Sequence, residues 1–322
     1  MNPTNLHNVL HATPTIIVFE NGAFLPKSSG TSTENLPITM EIDDDTSQIS
    51  ISLAASSSEK ITILHITRGA NTQAQTKIHY TIGENASLQI TEIHCSTNEQ
   101  NKITTLETIF SLEKNAQCEY VNVQNLNDET ACNQIITVNQ EHNSQCTAHV
   151  YQLQGDNLHT SLAVEKNGTQ ANTSLYGLSY PKHEQRFEIH TLVKHNCSDC
   201  ETVENFKILA ADHGVGVFGG MIYVAPHAVK TLAKQSNKNI LLSPNARIFS
   251  KPQLEIYADD VSCNHGSSTG QLNEDALWYM QTRGIAPEQA RQLLIQAFVH
   301  EVTEKLPTQE LQDFISAQVL DL

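Results

Sequence analysis

A chain of 322 residues can bury one large core or two to three ordinary ones, and 39% apolar with only 6% aromatic residues favours many short half-buried strands over large helical cores. A formal net charge of −16 with 19 Lys and Arg excludes an electrostatic grip on nucleic acid or an anionic membrane, leaving proteins, metals or small molecules as partners. Seven cysteines make a poor disulfide framework, and the absence of a signal-like start or a long apolar window leads us to expect a soluble cytoplasmic protein.

In chain order, IIVFENGAFLP (Ile16 to Pro26) sets two apolar runs around Asn21-Gly22, a strong hairpin signal. SSGTSTENLP (Ser28 to Pro37) reads as a polar linker. From about residue 50 to 270, strand-like runs alternate with short polar corners around Asn85, Asn115, Asn143, Asn167, Asn196, His227 and Asn245, spaced by 30, 28, 24, 29, 31 and 18 residues. Asn tolerates the left-handed backbone of a sharp bend, and a small neighbour lets coils stack closely. Repeats of this length without helical periodicity predict a β-solenoid, with a β-sandwich as the competitor. HGVGVFGGMIYVAPHAVKT (His213 to Thr231) reads as a strand pair split at Gly219-Gly220.

After Gly270 the periodicity becomes helical. LNEDALWYMQTRGI offers Asn273 as N-cap, acids in the first turn and Gly284 as the stop. Its Trp278 and Tyr279, with Arg283 near the end, are bulky anchors suited to a protein interface. PEQARQLLIQAFVHEVTEKLP predicts a second helix from Pro287 with Ala290, Leu293, Leu294, Ala297, Phe298 and Val302 on one face. Residues 308–320 predict a third.

Among chemistry-bearing motifs, a P-loop, a GxSxG elbow and an HExxH pair are all missing, so the chain is not expected to hydrolyse ATP by itself. HTLVKHNCSDC places His190, His195, Cys197 and Cys200 at metal-like spacing, against the plainer reading of a coil corner with surface histidines and free thiols. In DDVSCNHG, Cys263 and His265 leave the same face of an extended backbone about 6 to 7 Å apart. That is workable for a shared ligand and long for a nucleophilic dyad, and a corner with a buried Cys and a satisfied His stands level with the ligand reading.

The stretch SKPQLEIYADDVSCNHGSSTGQLNEDALWYMQTRGI (Ser250 to Ile285) resembles the signature region of the SufB/SufD family of the SUF iron–sulfur cluster assembly system, in its SufD form. The likeness runs upstream through VFGGMIYVAPHAVKTLAKQSNKNILLS, downstream to the helix ending near Leu306, and touches VFENGAFLP; the middle coils match in style only. It implies an N-terminal hairpin and linker over 1–37 where relatives carry a longer helical segment, a right-handed parallel β-helix over 38–270, and a small C-terminal α-helical domain over 271–322. It also implies no catalytic turnover in this subunit and no nucleotide bound by it. The implied partners are a paralogous SufB-like scaffold, paired through the β-helices, and a SufC-like ABC-type ATPase bound through the C-terminal helices. A nascent iron–sulfur cluster would form transiently at the scaffold interface. His265 matches the histidine of the family's Cys-Ser-His-Gly motif, with Asn264 in place of Ser, so the resemblance makes His265, and less directly Cys263, a ligand to that cluster or its iron. An isolated chain could pair with itself through its exposed ends. The competing expectation is a metal-binding or carbohydrate-active β-solenoid, though a shortage of basic and aromatic residues disfavours a sugar groove.

Overall fold

Alternation of buried and exposed side chains runs through almost every strand of the computed structural model, which describes residue 9 and residues 15–26, 38–43 and 48–320. The predicted linker, Ser28 to Pro37, lies outside the described residues. The strands are β1 (Thr15–Glu20), β2 (Ala23–Phe24), β3 (Ile38–Asp43), β4 (Gln48–Leu53), β5 (Ser58–Thr67), β6 (Gln73–Ile82), β7 (Ser87–Ser96), β8 (Lys102–Leu112), β9 (Gln117–Asn125) and β10 (Thr130–Gln140). They continue as β11 (Gln145–Gln154), β12 (Asn157–Lys166), β13 (Asn172–Ser179), β14 (Arg186–His195), β15 (Glu201–Ala210), β16 (Val215–Val224), β17 (Thr231–Leu241), β18 (Arg247–Ile256) and β19 (Val261–Gly270). Three helices follow: α1 (Glu274–Thr282), α2 (Pro287–Thr303) and α3 (Gln309–Leu320).

Each coil gives one strand to each of two sheets. One sheet runs β19-β17-β15-β13-β11-β9-β7-β5-β1-β2 and the other β18-β16-β14-β12-β10-β8-β6-β4-β3. From β4 and β5 onward every neighbour is parallel, so the architecture is a parallel β-solenoid of about eight turns. The sandwich alternative, which requires antiparallel sheets, is thereby removed. Antiparallel pairing is confined to β1 with β2 and β3 with β4. The first of these is the predicted hairpin, with Asn21 at φ 52° and Gly22 at φ 87°, both left-handed as a two-residue turn of this kind requires.

Corner chemistry follows the prediction closely for three coils and then departs from it. Asn85, Asn115 and Asn143 bend with φ of 58°, 59° and 55°. Their side chains stack into a ladder: Asn115 Nδ2 donates to Asn85 Oδ1 and Asn143 Nδ2 to Asn115 Oδ1, both at 2.8 Å. In the next coils the left-handed residues are Gln170, Asp199 and Lys230 rather than Asn167, Asn196 and His227. In five of these six corners the bend falls just before a small residue buried against the next coil: Ala86, Ala116, Ser144, Ala171 and Cys200. Asn245 belongs to the opposite edge, between β17 and β18, which accounts for its short spacing.

Two further expectations are corrected. Gly219-Gly220 does not split a strand pair; β16 runs straight through both glycines. On α2 the predicted Ala290 and Val302 are buried and Leu294 and Phe298 pack on the same core, but Ile295, Val299 and Thr303 are buried with them while Leu293 and Ala297 are exposed. Helical spacing alone could not choose between the two overlapping apolar stripes. The helix ends themselves conform: Asn273 Oδ1 accepts from Ala276 N at 3.0 Å, Pro287 opens α2, and Gly284 takes φ 84°.

Two cores result. The first fills the space between the sheets, with Ile51, Ile63, Tyr80, Phe110, Tyr120 and Phe218 among its members. The second lies on the outer face of the ten-stranded sheet, where Val121, Tyr151 and Leu178 meet Ile295, Val299 and Phe314 of the helices. Polar clamps fix that dock. The Tyr151 hydroxyl donates to the Val302 carbonyl at 2.9 Å, and Lys207 Nζ, inside the contact, reaches the Phe298 carbonyl at 2.8 Å and Glu301 at 2.7 Å. Among the described residues no helix is long and apolar enough to cross a membrane.

Candidate functional site

The solenoid ends on β18 and β19, which are the terminal strands of the two sheets on the same coil. Edge strands carry backbone N–H and C=O groups with no neighbour on their outer side. Apolar side chains sit beside them: Phe249 is 56% exposed, Tyr257 59% and Ile256 38%. The two strands are tied together by a 2.7 Å hydrogen bond between the Ser250 and Ser267 hydroxyls.

On this edge the structure places both Cys263 and His265. In register with β17, Cys263 lies beside Ala233 and His265 beside Gln235. Cys263 packs half-buried against the inner core, and burial pushes its thiol up. His265 is on the same side of the strand, yet exposed because no further coil covers it. Behind it Gln235 Nε2 donates to Glu204 Oε2 at 2.5 Å, and Glu204, Gln235 and His265 occupy successive coils of one column. Burial raises the Glu204 carboxyl to about 7. Gly220 makes room for this arrangement, since a Cβ there would stand 2.3 Å from Gln235 Nε2. The edge thus offers one imidazole and one thiol to an outside ligand, which is half a metal coordination set at most.

The other sequence candidates are not brought together. His190 and His195 are five residues apart on β14 and point to opposite faces, His190 outward and His195 inward. His195 is fully buried, bonded to Thr202 Oγ1 at 2.9 Å, and burial drives its imidazole down to about 2. Cys197 is partly exposed with its thiol on the Asn167 carbonyl at 3.1 Å, whereas Cys200 is the buried small residue of its corner. The expectation of a joint His190, His195, Cys197, Cys200 metal site is therefore corrected: strand alternation and corner packing separate the donors.

Two clusters that sequence reading missed take their place. His65, Glu92 and His94 meet inside the solenoid, and His159, Glu188 and His190 meet outside it. In each, partners come from adjacent coils, as with His65 and Glu92, 27 residues apart. Coil-length spacing combined with matching inward or outward parity was the signal available. The inner cluster is closed: Glu92 Oε1 lies 2.7 Å from His65 Nε2, its other oxygen takes the Tyr120 hydroxyl, and Asn122 Nδ2 donates to His94 Nε2 at 3.0 Å. Burial would raise the Glu92 carboxyl, but hydrogen bonding and charge from His65, aided by His94 and Tyr120, hold it at about 2. Burial, together with the charge of His65, pushes His94 down to about 3.

On the helical unit, Trp278 and Tyr279 are 68% and 57% exposed, and α1 has no buried residue. Arg283 lies over the Tyr279 ring, its guanidinium carbon 5.4 Å from the centroid, and donates to the Tyr279 hydroxyl at 3.1 Å. Tyr279 and Arg283 thus form one exposed pair, and Trp278 is exposed on the neighbouring face of the helix.

Comparison with known proteins agrees with this architecture. A family described as "SUF system FeS cluster assembly, SufBD core domain" matches residues 65–298. The chain is 27% identical over 291 residues to the iron–sulfur cluster assembly protein SufD of Escherichia coli, covering 88% of this chain and 68% of that one. It is 33% identical over 152 residues to the SufBD family protein slr0076 of Synechocystis, covering 47% of this chain and 34% of that one. It is 37% identical over 151 residues to the chloroplastic protein ABCI7 of Arabidopsis thaliana, covering 47% of this chain and 32% of that one. A parallel solenoid matched over residues 65–298, with a SufD aligned over 88% of the chain, is of the SufD type, and the chain belongs to the SufBD core family of the SUF iron–sulfur cluster assembly system.

Proposed function

We propose that this chain is a non-catalytic accessory scaffold for iron–sulfur cluster assembly, working from the open edge of its last coil. The observation that carries this reading is the coincidence of β18 and β19 as terminal strands with His265 and Cys263 exposed or half-exposed beside them. A paralogous SufB-like scaffold would pair with that edge by extending the sheets, and the apolar rim of Phe249, Ile256 and Tyr257 would be buried in the contact. His265 and Cys263 would then supply part of the ligand set for iron or a nascent cluster, the cargo of the complex, with the remaining ligands coming from the partner. A neutral imidazole is a releasable ligand for a cargo that must leave. The exposed Trp278, Tyr279 and Arg283 of α1 would receive a SufC-like ABC-type ATPase, aromatic and Arg side chains being the residue types that anchor interfaces. We assign the work of the complex to the reducing interior of the cell, where thiols such as Cys263 persist.

The test is co-expression with a SufB-like and a SufC-like protein. His265→Ala should leave the three-protein complex intact and lower its cluster content on reconstitution. Trp278→Ala should instead release the ATPase while the two solenoids stay together. A chain that remains a free monomer beside both proteins would overturn the reading.

A further inference from the structure

We propose that His159, Glu188 and His190 form an exchangeable site for a divalent transition-metal ion on the outer face of the nine-stranded sheet. The solenoid register creates it: His159 on β12 lies beside Glu188 on β14, and His190 follows two residues on, on the same outward face. The Glu188 carboxylate is already divided between two tasks. Its Oε1 accepts from Arg186 Nε at 2.5 Å, which fixes the group's orientation. Its Oε2 faces both imidazoles, 3.3 Å from His190 Nε2 and 3.7 Å from His159 Nδ1.

These separations suit a metal. With bonds of about 2.0 to 2.1 Å, a tetrahedral ion spaces its ligand atoms about 3.3 Å apart. The three donor atoms here lie within 4.8 Å of one another, so closure needs only small side-chain adjustment. Gly219 seats the His190 ring: a Cβ there would be 2.6 Å from His190 Nδ1. Beside the cluster the same glycine helps line an open groove of about 860 Å³ that also includes Val217, Met221, Phe249 and Lys251.

Two imidazoles and a carboxylate, with no thiolate, suit Zn²⁺ or Fe²⁺ rather than Cu⁺. Side-chain exposures of 43%, 22% and 42% leave the remaining coordination positions to water or to a ligand in the groove. That separates this cluster from the inner His65, Glu92 and His94 group, whose side chains are 6%, 0% and 1% exposed. The Arg186 guanidinium opposes a cation, which points to an ion that comes and goes rather than a permanent one.

The site stands independently of the assembly reading, and Co²⁺ titration of the full chain under anaerobic conditions tests it. The wild type should bind an equivalent of Co²⁺ that shows no thiolate charge-transfer absorption and is displaced by Zn²⁺. Glu188→Gln and His159→Ala should each weaken that binding about tenfold or more, since each removes one of three protein donors, with unchanged thermal unfolding in metal-free buffer. A Cys263→Ser, His265→Ala double variant should bind as the wild type does. Wild-type affinity in both Glu188→Gln and His159→Ala, loss of binding in the Cys263/His265 variant, or no Co²⁺ binding by the wild type would overturn the proposal.

Discussion

Glu204 and His94 carry opposite signs of pH dependence into the same interior. The Glu204 carboxyl is raised from 4.5 to about 7, so between those values the folded chain holds a proton that the unfolded chain has released. Stability from this group is present at low pH and falls as pH rises through the window, a cost on the order of 3 kcal/mol once complete. Glu204→Gln should therefore raise the melting temperature at pH 8, with the gain vanishing near pH 4.5; thermal scans across that range decide it. For His94, lowered from 6.5 to about 3, the unfolded chain binds the extra proton, so stability declines as pH falls below about 6.5. Glu92, held at about 2, adds to the decline below about 4.5. His94→Gln should flatten the acid limb between pH 6 and 4, and a variant as acid-labile as the wild type would show the limb to have another source. None of these buried groups was legible in the sequence. An ionisable residue in a strand reads as outward-facing until the coil register assigns its parity.

At the scale of elements, corners and caps decide where strands and helices stop. Asn115 combines a left-handed backbone with two ladder hydrogen bonds, one to each adjacent coil. Asn115→Ala should cost about 2 kcal/mol in denaturant unfolding, and Asn115→Gly should recover about 1 kcal/mol of it by relieving the backbone alone. Equal losses in both variants would place the whole effect in the side-chain ladder. Gly168 serves its corner differently, because a Cβ there would lie 2.0 Å from the His142 nitrogen in the coil below. The first three corners were readable because Asn is the residue that takes the bend. In the later ones Gln170, Asp199 and Lys230 take it, and for Gln170 and Asp199 the bend tracks the buried small residue and not the asparagine.

For the whole molecule, the helical unit is a lid on one sheet and not a separate appendage. Phe314 is fully buried in the second core. Phe314→Ala should cost about 3 to 5 kcal/mol locally and open the stretch after Gly270 to limited proteolysis while the β-sheet circular dichroism persists. Concerted loss of both signals would show that solenoid and helices unfold as one unit. The last coil, in contrast, has no further coil over it. An edge of two parallel strands with an apolar rim should make the isolated chain self-associate with rising concentration, as sedimentation can measure, and a SufB-like partner should suppress it.

The sequence by itself determined the local conformations: the Asn21-Gly22 hairpin, the Asn85, Asn115 and Asn143 bends, the Asn273 cap and the Gly284 stop. It also carried the family likeness and the Cys263-Asn264-His265 motif. These depend on backbone preferences and residue types that act within a few positions. Only the tertiary structure decided which residues some 27 to 31 positions apart would meet, because coil register is the sum of every strand and corner around a turn. That register brought His159 to Glu188 and His190, while strand alternation had already turned His195 to the opposite face from His190. It also left His265 on the last coil of the solenoid.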